Sequence, residues 1–152
     1  RDSPRNVPAP RRPARLSERL RGPAVLCDGI VVWHTASMAW LVCDARVLAS
    51  AEVAESRRDR RRGLLGRESI EGALVIEPCR WIHTIGMKFP IDVAYLDPDG
   101  VVVKTIQMQR FRMGIPVWNA SSVIEAEAGA FGRWGLRVGD RIEIRPDESD
   151  HR

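Results

Sequence analysis

The residues best suited to chemistry lie in one stretch of this 152-residue sequence, between Cys79 and Asp92. Cys79, His83 and Asp92 are the side-chain types of a nucleophile, a base and a group that orients the base. Thr84 and Met87 lie between them and could add a hydroxyl and a thioether to a binding site. The stretch therefore allows two hypotheses, a cysteine-dependent enzyme or a polar binding site.

A cysteine-dependent hydrolase would use Cys79 as the nucleophile and His83 as the base. The thiol must lie within hydrogen-bond reach of the imidazole, and a spacing of four residues in an extended or turning segment does not ensure this contact. No nucleophile elbow or helix N-terminus precedes Cys79, and the neighbouring Pro78 and Trp81 favour a buried, unreactive thiol. We keep the hydrolase as the alternative and predict no catalytic residue.

The favoured hypothesis is a binding site around His83 and Asp92. Pro90 holds the preceding residue in an extended conformation, so the chain should turn near Met87 and return as a strand. This turn could bring His83 and Thr84 next to Asp92, where a carboxylate would fix the imidazole tautomer and raise its pKa. We predict that His83, Thr84, Met87 and Asp92 line a shallow polar pocket or a partner surface. The structural alternative is that Thr84 and Asp92 cap the turn and that His83 is a hydrogen-bonded structural histidine.

Neither a metal nor a cofactor is predicted. The three cysteines include no CxxC pair, so they indicate neither a disulfide framework nor a four-cysteine zinc site. Copper binding by Cys79, His83 and Met87 would need a second histidine, and His34 and His151 lie in segments that we predict to be disordered. Unpaired cysteines fit a reducing cytoplasm, which is the predicted location.

The elements that position these residues are mostly short strands. In residues 91–96 Ile, Val and Tyr alternate with Asp, Ala and Leu, which predicts a half-buried strand. The following Asp97-Pro98-Asp99-Gly100 is typical of a type I turn. Residues 110–120 are predicted to form a polar loop, and residues 130–136 an irregular turn. Strands are predicted at residues 40–48, 49–53, 73–76, 91–96, 101–109, 122–126 and 141–144.

One short helix is predicted after the second strand. Ser56 can cap its first turn, Asp59 completes a capping-box pattern, and Gly63 or Gly66 ends it. Many short strands separated by turns, with a single helix, indicate a mainly β protein. The predicted fold is a small antiparallel β-sandwich or partly closed barrel with one short helix.

Composition divides the chain into three parts. Residues 1–37 contain seven arginines and three acidic residues, which accounts for the whole net charge of +4, and we predict a disordered Arg/Pro-rich extension. Residues 38–146 are predicted to form the β domain, and residues 147–152 a polar C-terminal tail. Residues 38–152 contain 17 basic and 17 acidic side chains, so we do not expect the folded domain to bind nucleic acid.

The hydropathy pattern offers no membrane-spanning segment. No run approaches the roughly 20 apolar residues that a transmembrane helix needs. Residues 1–23 contain arginine and proline in place of the apolar stretch of a secretory signal. We therefore predict a soluble protein whose partner is an unknown small molecule or another protein.

Three segments resemble signature blocks of the domain of unknown function 192 family, a group of uncharacterised bacterial and archaeal proteins. They are residues 62–67 (RGLLGR), residues 83–92 (HTIGMKFPID), and residues 127–130 taken with residues 135–140. The resemblance covers about residues 40–146 and implies a small β-sandwich-like fold with no established activity, cofactor or catalytic residue. We accordingly predict an uncharacterised, non-catalytic binding or accessory domain with a small polar pocket around His83 and Asp92.

Overall fold

The computed structural model describes residues 36–147, and the side chains from residue 37 onward. Its helices are α1 (Arg57–Arg62) and α2 (Ala130–Trp134). Its strands are β1 (Ala36–Cys43), β2 (Arg46–Ala54), β3 (Ala73–Ile76), β4 (Ile91–Leu96), β5 (Val102–Met108), β6 (Ser122–Glu127) and β7 (Ile142–Pro146). The prediction of a mainly β protein is confirmed.

The seven strands form one sheet in the order β5-β4-β6-β3-β2-β1-β7. All neighbouring strands pair in antiparallel fashion except β2 and β3, which run parallel. Parallel strands cannot be joined by a tight turn, so residues 55–72 cross from the end of β2 back to the start of β3 and carry α1. The prediction of a purely antiparallel arrangement is wrong for this one pair.

The sheet curls until its two outer strands approach each other at one end. An isolated bridge joins Val101, just before β5, to Arg141, just before β7. The N–H of Val102 donates to the Asp140 carbonyl at 2.9 Å, and the N–H of Ile142 donates to the Gly100 carbonyl at 2.8 Å. The curled sheet does not close completely, which agrees with the predicted partly closed barrel.

Apolar side chains cover both faces of the central strands. One cluster includes Leu41, Val75 and Ile124 and extends to Phe131 of α2. The other lies on the opposite face and includes Leu64 from the segment after α1. Strands β3 and β4 are buried along their whole length, because each contributes alternate residues to the two clusters.

The first hairpin turns where the sequence interrupts its first apolar run, near residues 44–46, as expected of a hairpin there. Its turn consists of Asp44 and Ala45, which have φ values of 47° and 63°, the conformation of a two-residue primed turn. Strand β2 begins at Arg46 and continues to Ala54, so the predicted boundary between residues 48 and 49 is wrong. Strand β1 begins at Ala36, while residues 1–35 of the predicted extension and residues 148–152 of the predicted tail lie outside the described residues.

The predicted helix is present, and a second one accompanies it. In α1 the Ser56 side chain accepts the N–H of Asp59, whose carboxylate in turn accepts the N–H of Ser56, and the helix ends at Gly63. Helix α2 forms where an irregular turn was predicted, between Gly129 and Gly135, both in the left-handed region. No helix in residues 36–147 is long and apolar enough to cross a bilayer.

Candidate functional site

Asp92 is a buried structural carboxylate that holds the start of α2. Its Oδ2 atom accepts the N–H groups of Gly129 and Phe131 at 2.9 and 3.0 Å, and its Oδ1 atom accepts from the Gln107 amide at 3.1 Å. The N–H groups of Gly129 and Phe131 lie at the start of α2, where backbone amides have no partner within the helix itself. Asp92 is only 6% exposed, so its carboxylate accepts these internal hydrogen bonds and does not line an open pocket.

The sheet separates Asp92 from His83. Along β4, Ile91 and Val93 pack into the same apolar cluster as Ile82, whereas Asp92 points to the opposite face, toward Phe131. The expected approach of His83 to Asp92 does not occur, because residue alternation in β4 sends the carboxylate away from the segment that carries the histidine.

Thr84 is completely buried and joins two loops. Its hydroxyl donates to the Gln109 carbonyl at 2.6 Å and accepts the N–H of Arg112 at 2.9 Å. Its backbone N–H donates to the Arg112 carbonyl at 2.8 Å. Met87 is likewise buried, in the apolar cluster that also contains Ile82. Of the four predicted ligand-binding residues, only His83 is exposed at the surface.

The geometry of Cys79 does not suit a nucleophile. Its thiol lies 3.4 Å from the carbonyl oxygen of Trp81, to which it donates. Burial raises the pKa of this thiol, which disfavours the thiolate that nucleophilic attack requires. The Cys79–His83 pair of the alternative hydrolase is therefore not assembled.

His83 belongs to an exposed ribbon, a name we use for residues 80–85 paired with residues 111–118. An antiparallel bridge joins His83 to Met113, flanked by hydrogen bonds from Gly114 N–H to the Ile82 carbonyl (2.9 Å) and from Thr84 N–H to the Arg112 carbonyl (2.8 Å). Residues 110–120 form a loop, as predicted, but the loop carries exposed apolar side chains and is tied to residues 80–85 by this bridge. The sequence does not reveal this contact, because residues 86–110 separate the two segments.

The exposed ribbon turns one side to the core and the other to solvent. Ile82 and Thr84 point inward, while His83 and Met113 point outward as a close cross-strand pair. On the outward side, the Trp81 and His83 rings lie 5.5 Å apart. Its outward apolar side chains and their exposed fractions are Trp81 (39%), Ile85 (48%), Phe111 (63%), Met113 (65%), Ile115 (74%) and Trp118 (78%). Clusters of exposed apolar groups are typical of surfaces that contact other molecules.

The two segments of the exposed ribbon are rich in basic residues. Residues 78–90 and 109–122 contain no aspartate or glutamate and carry Arg80, Lys88, Arg110 and Arg112. Lys88 pairs with Glu68 of the neighbouring segment, and the Arg110 guanidinium lies 5.9 Å from the centre of the Phe111 ring. Arg110 therefore places a positive charge beside the exposed apolar side chains.

Gly114 allows the two segments of the exposed ribbon to approach. A Cβ atom at this position would lie 2.8 Å from the Ile82 carbonyl oxygen and 3.4 Å from the Tyr95 hydroxyl. Trp81 reinforces the contact, since its indole N–H donates to the Gly114 carbonyl at 2.8 Å. The exposed ribbon thus rests on backbone contacts that a larger residue would disturb.

Glu125 is the titratable residue that sequence reasoning missed. It lies on β6 and is 3% exposed, and its Oε2 atom has no hydrogen-bond partner. Burial raises the pKa of its carboxyl to about 7, against the opposing attraction of Arg67. The available signal was an acid within the apolar strand Val123-Ile124-Glu125-Ala126.

A shallow open cleft of about 400 Å³ lies away from the exposed ribbon. It opens between α2 and the segment before β3, and its charged lining residues are Glu71, Glu127 and Arg133. Within residues 36–147, no group of three or more His, Cys, Asp and Glu side chains is arranged to hold a metal ion. The exposed ribbon is therefore the more prominent candidate for a functional surface.

Comparison with known proteins identifies a family and a fold. The model of the DUF192 family, described as Uncharacterized ACR, matches residues 41–144. A candidate transcription regulator from Sinorhizobium meliloti 1021 is 19% identical with a TM-score of 0.63, over 74% of this chain and 96% of its own. A protein of unknown function from Novosphingobium aromaticivorans DSM 12444 is 17% identical with a TM-score of 0.60, over 86% of this chain and 99% of its own. No curated protein matches the chain.

Proposed function

This chain belongs to the DUF192 family, and on that premise we propose that it is a non-catalytic binding or accessory domain whose contact surface is the exposed ribbon. The observation that carries the proposal is the row of outward side chains around His83, from Trp81 to Ile115. Met113, Ile115 and Trp118 are 65–78% exposed, so most of their apolar surface contributes nothing to the stability of the free domain. Their burial against a partner would be favourable, by roughly 1.5–3 kcal/mol for a fully buried side chain.

The four predicted ligand-binding residues take different roles in this proposal. His83 lies within the contact surface, where it can donate a hydrogen bond or carry a charge. Thr84 is buried and forms hydrogen bonds with residues 109 and 112, and Met87 packs in the apolar cluster that contains Ile82. Asp92 stabilises α2 on the other face of the sheet. The partner therefore meets an extended surface, which favours a large partner over a small molecule.

A cytoplasmic location is part of the proposal. Cys43 is a buried free thiol and Cys79 a partly buried one, a state that a reducing compartment preserves. The hydrolase alternative is not proposed, because the Cys79 thiol donates to a backbone carbonyl and its pKa is raised.

The experiment compares complexes formed by the full chain in extracts of its source cells. A tagged Ile115→Ser/Trp118→Ser variant should lose the complex on a native density gradient, while Cys79→Ala should keep it. A matched control is Val47→Ser, since Val47 is 55% exposed on β2, away from the exposed ribbon. If the wild type migrates as a free monomer, or if the ribbon variant keeps the complex, the proposed contact surface is wrong.

A further inference from the structure

We propose that the partner of the exposed ribbon is an anionic lipid surface, on which the domain rests without crossing it. The inference depends on the proposed function and adds the chemistry of the partner. It follows from the kind of apolar side chains present, from how they project, and from the sign of the charges around them.

The apolar side chains project singly and far from the domain. Phe111, Met113, Ile115 and Trp118 are 63–78% exposed, so they do not form the walls of a groove that would seat a peptide. A protein partner would need a matching pocket for each, whereas a lipid layer accepts any arrangement of projecting groups. Tryptophan is also enriched at membrane–water interfaces, where its ring is apolar and its N–H can meet water.

The charges complement phosphate headgroups. Arg110 lies beside the exposed Phe111 ring, and Arg80 and Arg112 are exposed residues of the same two segments. Residues 78–90 and 109–122 contain no acidic residue. Residues 1–37 contribute seven more arginines to the same chain. Basic residues near a membrane surface are attracted to its anionic lipids, and combining apolar insertion with basic charge gives more durable binding than either alone.

The same charges disfavour a second copy of this chain as the partner. In a two-fold dimer the identical patch lies on both sides of the interface. Arg80, Arg110 and Arg112 would then be present on both sides of an apolar contact, and residues 78–90 and 109–122 supply no acidic residue to pair with them. An anionic surface removes this repulsion.

The experiment is co-sedimentation of the full chain with vesicles of phosphatidylcholine, alone or mixed with phosphatidylglycerol. We expect binding only to the mixed vesicles, with a strong decrease at high salt because the Debye length shrinks from about 10 Å at 0.1 M to about 3 Å at 1 M. Ile115→Ser/Trp118→Ser should weaken binding by at least about tenfold, since it removes two insertable side chains. Arg110→Gln/Arg112→Gln should weaken binding to the mixed vesicles and reduce its salt dependence, while the remaining basic residues of the chain retain part of it. Val47→Ser should bind like the wild type.

The outcomes separate this inference from the proposed function. Failure of the wild type to bind mixed vesicles overturns the lipid inference, and so does equal binding by the Ile115→Ser/Trp118→Ser variant, which would indicate charge attraction elsewhere on the chain. If that variant nevertheless loses a complex in cell extract, the exposed ribbon remains a contact surface and its partner is a protein. Ribbon-dependent binding to a single-stranded oligonucleotide, without vesicle binding, would likewise replace lipid by nucleic acid.

Discussion

Arg67 donates two hydrogen bonds to Glu52, at 2.8 and 2.7 Å, and this pairing leaves the nearby Glu125 without a partner for Oε2. Glu52 and Glu125 lie in one row across the sheet, on either side of Leu74. The arginine lowers the pKa of Glu52, mainly through the hydrogen bonds. Glu125 lies in the same row but its Oε2 atom accepts no hydrogen bond, so burial raises its pKa.

Glu125 should make stability fall with rising pH. Its pKa is about 7 in the folded protein and 4.5 in the reference state, so folding takes up a proton between these values. The contribution of Glu125 to the free energy of unfolding is fully present below pH 4.5. It should fall by up to about 3 kcal/mol as pH rises through 7. Glu125→Gln should remove this loss and be the more stable protein at pH 8. Urea unfolding at pH 5 and pH 8 measures the free energy of unfolding of both proteins, with the exposed Glu127→Gln variant as the control. Parallel pH profiles for the wild type and Glu125→Gln would exclude this role of Glu125.

Asp92→Ala should destabilise the protein by about 2–3 kcal/mol, because two helix amides and the Gln107 side chain lose their acceptor. His83→Ala should change stability little. Since the sheet lies between the two residues, the effects should add to within about 0.5 kcal/mol in the double variant. A double-mutant cycle by urea unfolding tests this expectation, and a larger coupling energy would show that the histidine and the carboxylate interact.

Thr84→Val should cost about 1–3 kcal/mol, because the nearly isosteric side chain can neither donate to Gln109 nor accept from Arg112. Hydrogen exchange should become faster at the amide of Arg112, which loses its acceptor. The matched control is Thr105→Val, at an exposed position on β5. Equal unfolding free energies for the two variants would contradict the supporting role of Thr84.

Gly114→Ala should destabilise the exposed ribbon by about 1–3 kcal/mol, because the added methyl group would lie 2.8 Å from the Ile82 carbonyl oxygen. Gly132→Ala is the matched control: a Cβ there has no neighbour within 4 Å, and alanine favours the helix. Thermal unfolding and the chemical shifts of residues 80–85 provide the measurements. Gly114→Ala with wild-type stability and unchanged shifts would mean that the two segments do not depend on this close approach.

Features that depend on neighbouring residues were predictable from the sequence. The capping box of Ser56 and Asp59 is present, since it needs only one turn of chain. Gly100 has a φ of 81° and its N–H donates to the Asp97 carbonyl, as expected of this turn. Strand β4 has the predicted bounds, but all six of its residues are buried, so the expected half-buried strand is wrong.

Features that join distant segments were decided by the tertiary structure alone. Asp92 accepts the N–H of Gly129, 37 positions further along the chain, so the sequence could not show that this carboxylate holds the start of a helix. The bridge between His83 and Met113 ties the expected loop to residues 80–85 and leaves its apolar side chains exposed. Glu125 is a buried acid whose Oε2 atom has no partner, while the nearby Arg67 is paired with Glu52. Local sequence specifies turns, caps and strand alternation, whereas burial and partnership depend on which remote segments the sheet brings into contact.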